Sequence, residues 1–328
     1  MSAADSSEDR DDWRPTASLQ ALRLRAQLLR VIREFFAERD VLEVETPVMA
    51  AAGASDANIS SLSTTCHVLA AARRLYLQTS PEFAMKRLLA AGSGPIYQIC
   101  RAFRDGESGR LHNPEFTLLE WYRPGFDHHA LMDEMDALLD RLLAPAPVRR
   151  LSYREAFIEH AATDPFELDT QALAALAARA GLNDALGGRF DRDALLEFLF
   201  SHLVQPRLGT GRVHVYDYPA SQAALAKVRA GEPAVAERFE VFVGGIEIAN
   251  GYHELNEAAE QRRRFGEDAG TRRRRDLEPM PPDERLLAAL EHGLPDCAGV
   301  AVGLDRLFMI AAGETRLDAV MAFPVTRA

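Results

Sequence analysis

The chain has 328 residues, 47 % of them apolar and 27 % charged. That is enough to bury the core of one large or two modest domains without disulfides or metals. Its 38 lysines and arginines against 49 aspartates and glutamates leave a net charge of -11, which argues against a protein that coats nucleic acid, whose affinity comes from neutralised phosphates. No apolar run reaches the roughly 18 residues of a membrane span. The acidic start MSAADSSEDRDDWRP is the opposite of a signal peptide. Cys66, Cys100 and Cys297 are widely spaced and form no CxxC pair, so neither a disulfide framework nor a zinc ribbon is expected. The expected setting is the cytoplasm, with no membrane partner.

Residues 1–17 read as a disordered lead-in. From Ser18 to Asp40, Leu22, Leu28, Leu29, Ile32, Phe35 and Phe36 recur at helical spacing behind Ser18 as N-cap. VLEVETPVM follows as a short strand stopped by Pro47. The small, polar residues 50–65 read as a flexible loop, Leu75–Gln78 as a strand, and Pro81 opens a helix through Ala90. Ile96–Phe103 and Glu115–Tyr122 read as strands around the turn-rich loop DGESGRLHNP. Residues 129–203 are mostly helical, with Pro and Gly in the gaps. Strands return at 213–218, 239–251 and 299–303, the last leading into a helix from Leu304 to about Ala312. The stretch 261–282 (QRRRFGEDAGTRRRRDLEPMPP) reads as a charged, proline-ended loop. Hairpins and a long helical insert, instead of regular β-α-β alternation, predict an α+β fold with a mainly antiparallel sheet. Neither GxGxxG nor GxxxxGK[ST] occurs, so Rossmann and P-loop nucleotide binding have no support.

Three stretches carry more polar chemistry than a core needs. In FRDGESGRLHNPEFTLLEWY, Arg104 ends one strand, while residues 116, 118, 120 and 122 share a face of the next. An arginine, a glutamate, a tyrosine and an aromatic ring therefore converge, unless this is simply a solvated hairpin face. In GGIEIANGYHEL, Glu247 and Glu254 are carboxylates of the kind that suit Mg2+ beside a nucleotide, or else two surface acids in a chain rich in them. In GVAVGLDRLFMI, a glycine-studded strand admits a ligand to the backbone, and Arg306 opens a helix from which it can reach phosphate or stack on a base.

Together and in this order, the three stretches resemble motifs 2 and 3 of the class II aminoacyl-tRNA synthetases, and the segment around Pro47 resembles motif 1, that family's dimer interface. HNPEF, the SPE of Ser80–Glu82 and EIANGxxEL look like the lysyl branch. Lysyl-tRNA synthetases carry a large anticodon-binding barrel ahead of motif 1, whereas here an acidic segment of about 17 residues precedes it. That layout, with the wording HNPEFTLLEWYRP and PDCAGVAVGLDR, is similar to the stand-alone paralogues, the elongation factor P–(R)-β-lysine ligases. The resemblance implies a class II synthetase-like catalytic domain over 18–328, an antiparallel sheet flanked by helices with a helical insertion at about 129–210. It implies a homodimer, ATP and Mg2+ as cofactors, (R)-β-lysine or lysine as substrate, and elongation factor P as acceptor, with tRNA not expected. Left open beside this are an enzyme that charges tRNA or another amine, and a regulatory paralogue that only binds.

Carried over residue by residue, the resemblance makes Arg104, Glu247 and Arg306 catalytic. Arg104 would hold the substrate carboxylate and α-phosphate, Asn113 would read the adenine edge, and Phe116 and Arg306 would sandwich the ring. Asp105, Gly106, Glu107, Ile248 and Gly303 would complete the ATP site, and Glu247 with Glu254 would hold metal. Glu82, beside Ser80 and Pro81, would meet the backbone-side amine of the substrate. Tyr122 and Glu254 would hold the distal ammonium, with Asn250 and Ala301 nearby. Two departures stand out. The family's FRxE reads Phe103-Arg104-Asp105-Gly106-Glu107 here, so either Asp105 or Glu107 supplies the acid. Ala301 replaces the middle glycine of GxGxGxDR, and its methyl is expected to help exchange α-lysine for a β-amino acid. The Arg262–Arg264 and Arg272–Arg275 clusters read either as contacts for an acceptor or as solvated charge in a mobile loop.

Overall fold

A computed structural model describes residues 13–68, 71–183 and 190–328. Of the expected lead-in, residues 1–12 lie outside the described residues. Thr16 and Ala17 donate their N–H groups to the carbonyls of Ala322 and Met321, at 2.9 and 3.2 Å.

Helix α1 (Leu19–Ala37) begins where the Ser18 hydroxyl accepts from the Ala21 N–H, and it buries Leu28, Ile32, Phe35 and Phe36. The single strand expected over VLEVETPVM is instead β1 (Leu42–Glu43) and β2 (Met49–Ala50), which join different sheets. Pro47 between them has no N–H to continue a ladder. Strands β3 (Ser63–Val68) and β4 (Ala71–Leu77) complete a small sheet in the order β2-β4-β3, so the expected loop 50–65 already contains strand at both ends.

Then come α2 (Glu82–Ala90), β5 (Ile96–Phe103), β6 (Glu115–Pro124), α3 (His128–Leu142), β7 (Val148–Ser152), α4 (Tyr153–Ala161), α5 (Thr170–Arg179) and α6 (Arg192–Leu199). They are followed by β8 (Arg212–Pro219), β9 (Val228–Arg229), β10 (Val235–Val243), β11 (Ile246–His253), α7 (Ala258–Arg274), α8 (Glu284–Gly293), β12 (Cys297–Gly303) and α9 (Leu304–Ala311). The large sheet runs β1-β5-β6-β12-β11-β10-β8-β7, with β9 on β10. It is antiparallel except at the β1–β5 and β7–β8 pairs. The fold is α+β, as the hairpin-rich pattern predicts.

Helices α1, α3 and α9 cover one face of the sheet in the main core, around Phe36, Trp121, Met135, Phe239 and Phe308. The expected insertion at about 129–210 therefore divides. Helix α3 belongs to this main core through Leu131, Met132, Met135, Leu138 and Leu139, and β7 extends the sheet. Only α4 to α6 build a second core, on β8 and Phe242, with Tyr153, Phe157, Leu195 and Phe200 inside it.

The loop expected at 261–282 is largely helix α7. Its sequence has no apolar stripe, and the helix stands on ion pairs and one buried arginine instead. Arg264 pairs with Glu260 at 2.8 Å one turn away, and Arg263 pairs with both Glu260 and Glu267. Arg272, 3 % exposed, donates to the carbonyls of Glu278, Asp56 and Ile59 at 2.7, 2.8 and 3.2 Å. No helix among the described residues is long and apolar enough to cross a membrane.

Candidate active site

Strands β6, β12 and β11 lie side by side and line a cavity of about 950 Å³. Alternation along β6 sends Phe116, Leu118, Glu120 and Tyr122 into it, while Leu119 and Trp121 enter the main core behind. Strand register sets the width. Ala301 stands between Glu120 and Asn250, Gly299 between Tyr122 and Tyr252, and Gly303 beside Leu118. Residues far apart in sequence thus face one space.

One end of the cavity is acidic. Lys86 and Glu254, each 1 % exposed, face one another, with Lys86 Nζ 2.5 Å from Glu254 Oε2. The same ammonium donates to Glu82 Oε1 at 2.6 Å. Tyr122 and Ser80 donate to the two oxygens of Glu120, both at 2.7 Å, and the Ser80 oxygen accepts from the Glu82 N–H. Pro81 caps α2, so Glu82 opens the helix and Lys86 follows one turn on. Burial pushes the Glu254 carboxyl up to about 8, against the pull of Lys86 and with help from Glu82. Burial and the Glu82 charge push Glu120 up to about 7. Three carboxyl groups therefore surround one ammonium, and once all three are ionised the charge they lack is two positive units.

The other end is cationic. Arg104 lies with its Cζ 5.1 Å from the Phe116 ring centre. Its buried Nε has no hydrogen-bond partner. Arg306 donates to the Glu247 carbonyl at 2.8 Å and to the Leu111 carbonyl at 3.2 Å, and its Nη2 lies 2.7 Å from His112 Nε2. Burial and the Arg306 charge lower the His112 pKa, so a neutral ring accepts that bond. Glu247 is half-exposed and 3.5 Å from Arg306. Gly303 has an ordinary φ of -72°, and a Cβ there would meet nothing nearer than the Ile248 carbonyl at 3.9 Å. The fold itself does not require this glycine.

The structure brings Arg104, Glu107, Asn113, Phe116, Glu247, Ile248, Gly303 and Arg306 to one cavity with Ser80, Pro81, Glu82, Tyr122, Asn250, Glu254 and Ala301. Three expectations change. Asp105 and Gly106 are exposed and turn away from the cavity, whereas Glu107 lines it 3.6 Å from Arg104. Glu107 is the acid of this loop that reaches the cavity. The Asn113 side chain is already engaged: its Nδ2 donates to the Glu115 carbonyl at 2.6 Å and its Oδ1 accepts from the Val325 N–H at 3.0 Å. It fixes the loop to the chain's end, and one Nδ2 hydrogen and one Oδ1 lone pair are what it has left for a base edge. Finally, Glu247 and Glu254 cannot share an ion, because seven residues of extended strand separate them by about 20 Å and Lys86 holds Glu254.

Sequence reasoning assigned no role to Lys86, Glu120, Arg238 or Glu240. The spacing of Glu82 and Lys86 on one helix was a readable signal, and Glu120 stood on the expected strand face. Arg238 donates to Glu240 at 2.5 Å and to Asn250 at 3.3 Å inside the cavity, and no motif marks it.

A sheet of this topology with an anion-binding end and an acidic end defines a class II synthetase catalytic domain. The chain matches the family tRNA synthetases class II (D, K and N) over residues 10–327. The elongation factor P–(R)-β-lysine ligase of Vibrio cholerae serotype O1 is 54 % identical over 97 % of this chain and 99 % of its own length. Those of Vibrio vulnificus and Edwardsiella ictaluri are 52 % and 50 % identical, over 95 % and 98 % of this chain and 98 % and 99 % of theirs. The chain belongs to the class II synthetases and, within them, to the family of elongation factor P–(R)-β-lysine ligases.

Proposed function

We propose that the chain activates (R)-β-lysine with ATP and transfers it to a lysine side chain of elongation factor P. The observation that carries this is the acidic end: Glu82, Glu120 and Glu254, when ionised, lack two positive charges beyond Lys86, and a lysine isomer brings two ammonium groups that draw out those ionised forms. A shorter or neutral amino acid would leave buried carboxylates unpaired, which costs orders of magnitude in selectivity.

With the ammonium groups at that end, the substrate carboxylate extends toward Arg104. One carboxylate oxygen attacks the α-phosphorus of ATP, and pyrophosphate leaves. Arg104, whose buried Nε awaits an acceptor, stabilises the charge that develops there. Arg306 and Phe116 border the space for the base. A neutral lysine amine of the acceptor then attacks the acyl carbon and AMP leaves, so the enzyme needs no covalent intermediate and works by positioning. The donor set fits Mg2+ through Glu247, a half-exposed carboxylate of the cavity wall that offers hard oxygens near the nucleotide end. When bound, the ion neutralises triphosphate charge.

Three finer points belong to the same reading. The Ala301 methyl, between Glu120 and Asn250, displaces an α-amino acid in favour of a β-amino acid. The exposed Leu42, Val48 and Met49 flanking Pro47 suit a homodimer interface. The acceptor is a cytoplasmic protein and not tRNA, because the net charge is -11 and Arg262, Arg263, Arg264 and Arg272 of α7 are engaged within the chain. Isotope exchange between pyrophosphate and ATP tests the first step. Arg104→Ala is expected to abolish lysine-dependent exchange with circular dichroism unchanged, and wild-type exchange in that variant would refute the assignment.

A further inference from the structure

The sheet face turned away from the cavity carries a cluster that the proposed reaction does not use. Arg238 and Tyr252 pair across β10 and β11 and line the cavity, so strand alternation turns Glu237 and His253 to the opposite side. There His253 Nδ1 lies 2.6 Å from Glu237 Oε2. His128, the first residue of α3, closes over them. It is 2 % exposed, and neither of its ring nitrogens has a hydrogen-bond partner. Asp217 Oδ1, on β8, is also buried without a partner and stands 3.6 Å from His128 Nε2. One ligand atom from each of His128, Glu237 and His253 falls within 4.8 Å of the others.

Buried polar atoms without partners are uncommon in folded proteins and call for an explanation. The neighbouring charges leave specific atoms of the cluster unengaged. Arg229 engages Asp217 Oδ2 at 2.5 Å and Glu237 Oε1 at 3.3 Å, leaving the second oxygen of each carboxylate to the cluster. His253 Nε2 lies 2.9 Å from Asp296 Oδ1 and 3.2 Å from Lys227 Nζ, and Lys227 also contacts Asp296. Three carboxylates against Arg229 and Lys227 leave one negative charge, so a cation meets no net repulsion.

We propose that this cluster is a structural site for a borderline divalent transition metal such as Zn2+. Its protein ligands are a His128 ring nitrogen, His253 Nδ1 and Glu237 Oε2, with the fourth position of the tetrahedron left to water. Two imidazoles with one carboxylate select such an ion over Mg2+ or Ca2+, which take oxygen. Bonds of about 2.0–2.2 Å in a tetrahedron separate ligand atoms by roughly 3.3 Å. The His253–Glu237 pair must open by less than about 1 Å, and the His128 nitrogen lies within 4.8 Å of both. Ligation through Nδ1 leaves His253 Nε2–H to donate to Asp296, the outer-shell carboxylate that fixes a metal-bound imidazole. The ion would pin the start of α3 to β10 and β11, directly behind the cavity.

The test is a titration of the chelator-stripped full chain with Co2+, read by visible absorption and followed by displacement with Zn2+ and mass-spectrometric metal counting. Expected are one ion per chain and the intense bands of tetrahedral cobalt. In His128→Gln and Glu237→Gln, affinity should fall by more than the roughly 10- to 100-fold that loss of an outer-shell partner costs. His67→Gln, in an exposed strand of the small sheet, should bind as the wild type does. Absence of stoichiometric metal and of tetrahedral bands on the wild-type chain overturns the proposal without recourse to any variant. Wild-type affinity in both cluster variants overturns it equally, placing the ion elsewhere.

Discussion

A methyl group at Gly299 would collide with the Tyr122 ring and stand 2.5 Å from Glu254 Oε1. The two side chains meet only because this strand position is bare. Gly299→Ala is therefore expected to raise KM for the lysine substrate by about a hundredfold, the cost of a misplacement near 1 Å, and to leave KM for ATP close to wild type. Steady-state kinetics with each substrate varied separately checks this. The same carboxylates set a pH dependence. Burial holds Glu120 and Glu254 protonated up to about 7 and 8 in the empty site, and an ammonium ligand binds their ionised forms. KM for the lysine substrate should fall as pH rises from 6 to 8, and calorimetry in buffers of different ionisation enthalpy should show proton release on binding near neutrality. Stability of the ligand-free chain should move the opposite way. The folded state holds protons that the unfolded state has released, so stability declines as pH rises from about 4.5 through 8.

Among the elements, those with a strong periodic signal were readable. Leu28, Ile32, Phe35 and Phe36 mark α1, and Ser18 caps it where the sequence places the cap. Ile96–Phe103 is β5 residue for residue. What escaped has physical causes. The VRRLS of β7 shows only two apolar residues, because its pairing with β8 and not its own burial makes it a strand. Helix α7 has the arginine-rich composition of a loop, and its stability comes from tertiary hydrogen bonds that no local pattern reports. Arg272 holds three carbonyls across that join, so Arg272→Met should cost about 3 kcal/mol. The exposed Arg273→Met on the same helix should stay within about 0.5 kcal/mol. Urea unfolding of the two variants separates these outcomes.

At the scale of the whole molecule, the site is a product of strand order. Glu120, Asn250 and Ala301 come from three separate motifs and become neighbours only because β6, β12 and β11 are adjacent. The motifs, and so most of the site's members, were legible in the sequence. Their register was not, which is why Glu247 and Glu254 looked like a metal pair while the fold sets them at opposite ends of the cavity. Register also isolates Ala301 between the acidic wall and Asn250. Ala301→Gly should shift the preference from (R)-β-lysine toward α-lysine by about 10-fold or more, the worth of one methyl in a fitted pocket, as pyrophosphate exchange with the two isomers would show. The most direct measurement is the intact mass of elongation factor P after incubation with the chain, Mg-ATP and (R)-β-lysine, beside parallel reactions with α-lysine or with tRNA as acceptor. The expected result is a gain of one lysyl unit on the factor, favoured by the β-isomer and absent with Arg104→Ala. An unmodified factor, with lysine carried on tRNA or on neither acceptor, would contradict it.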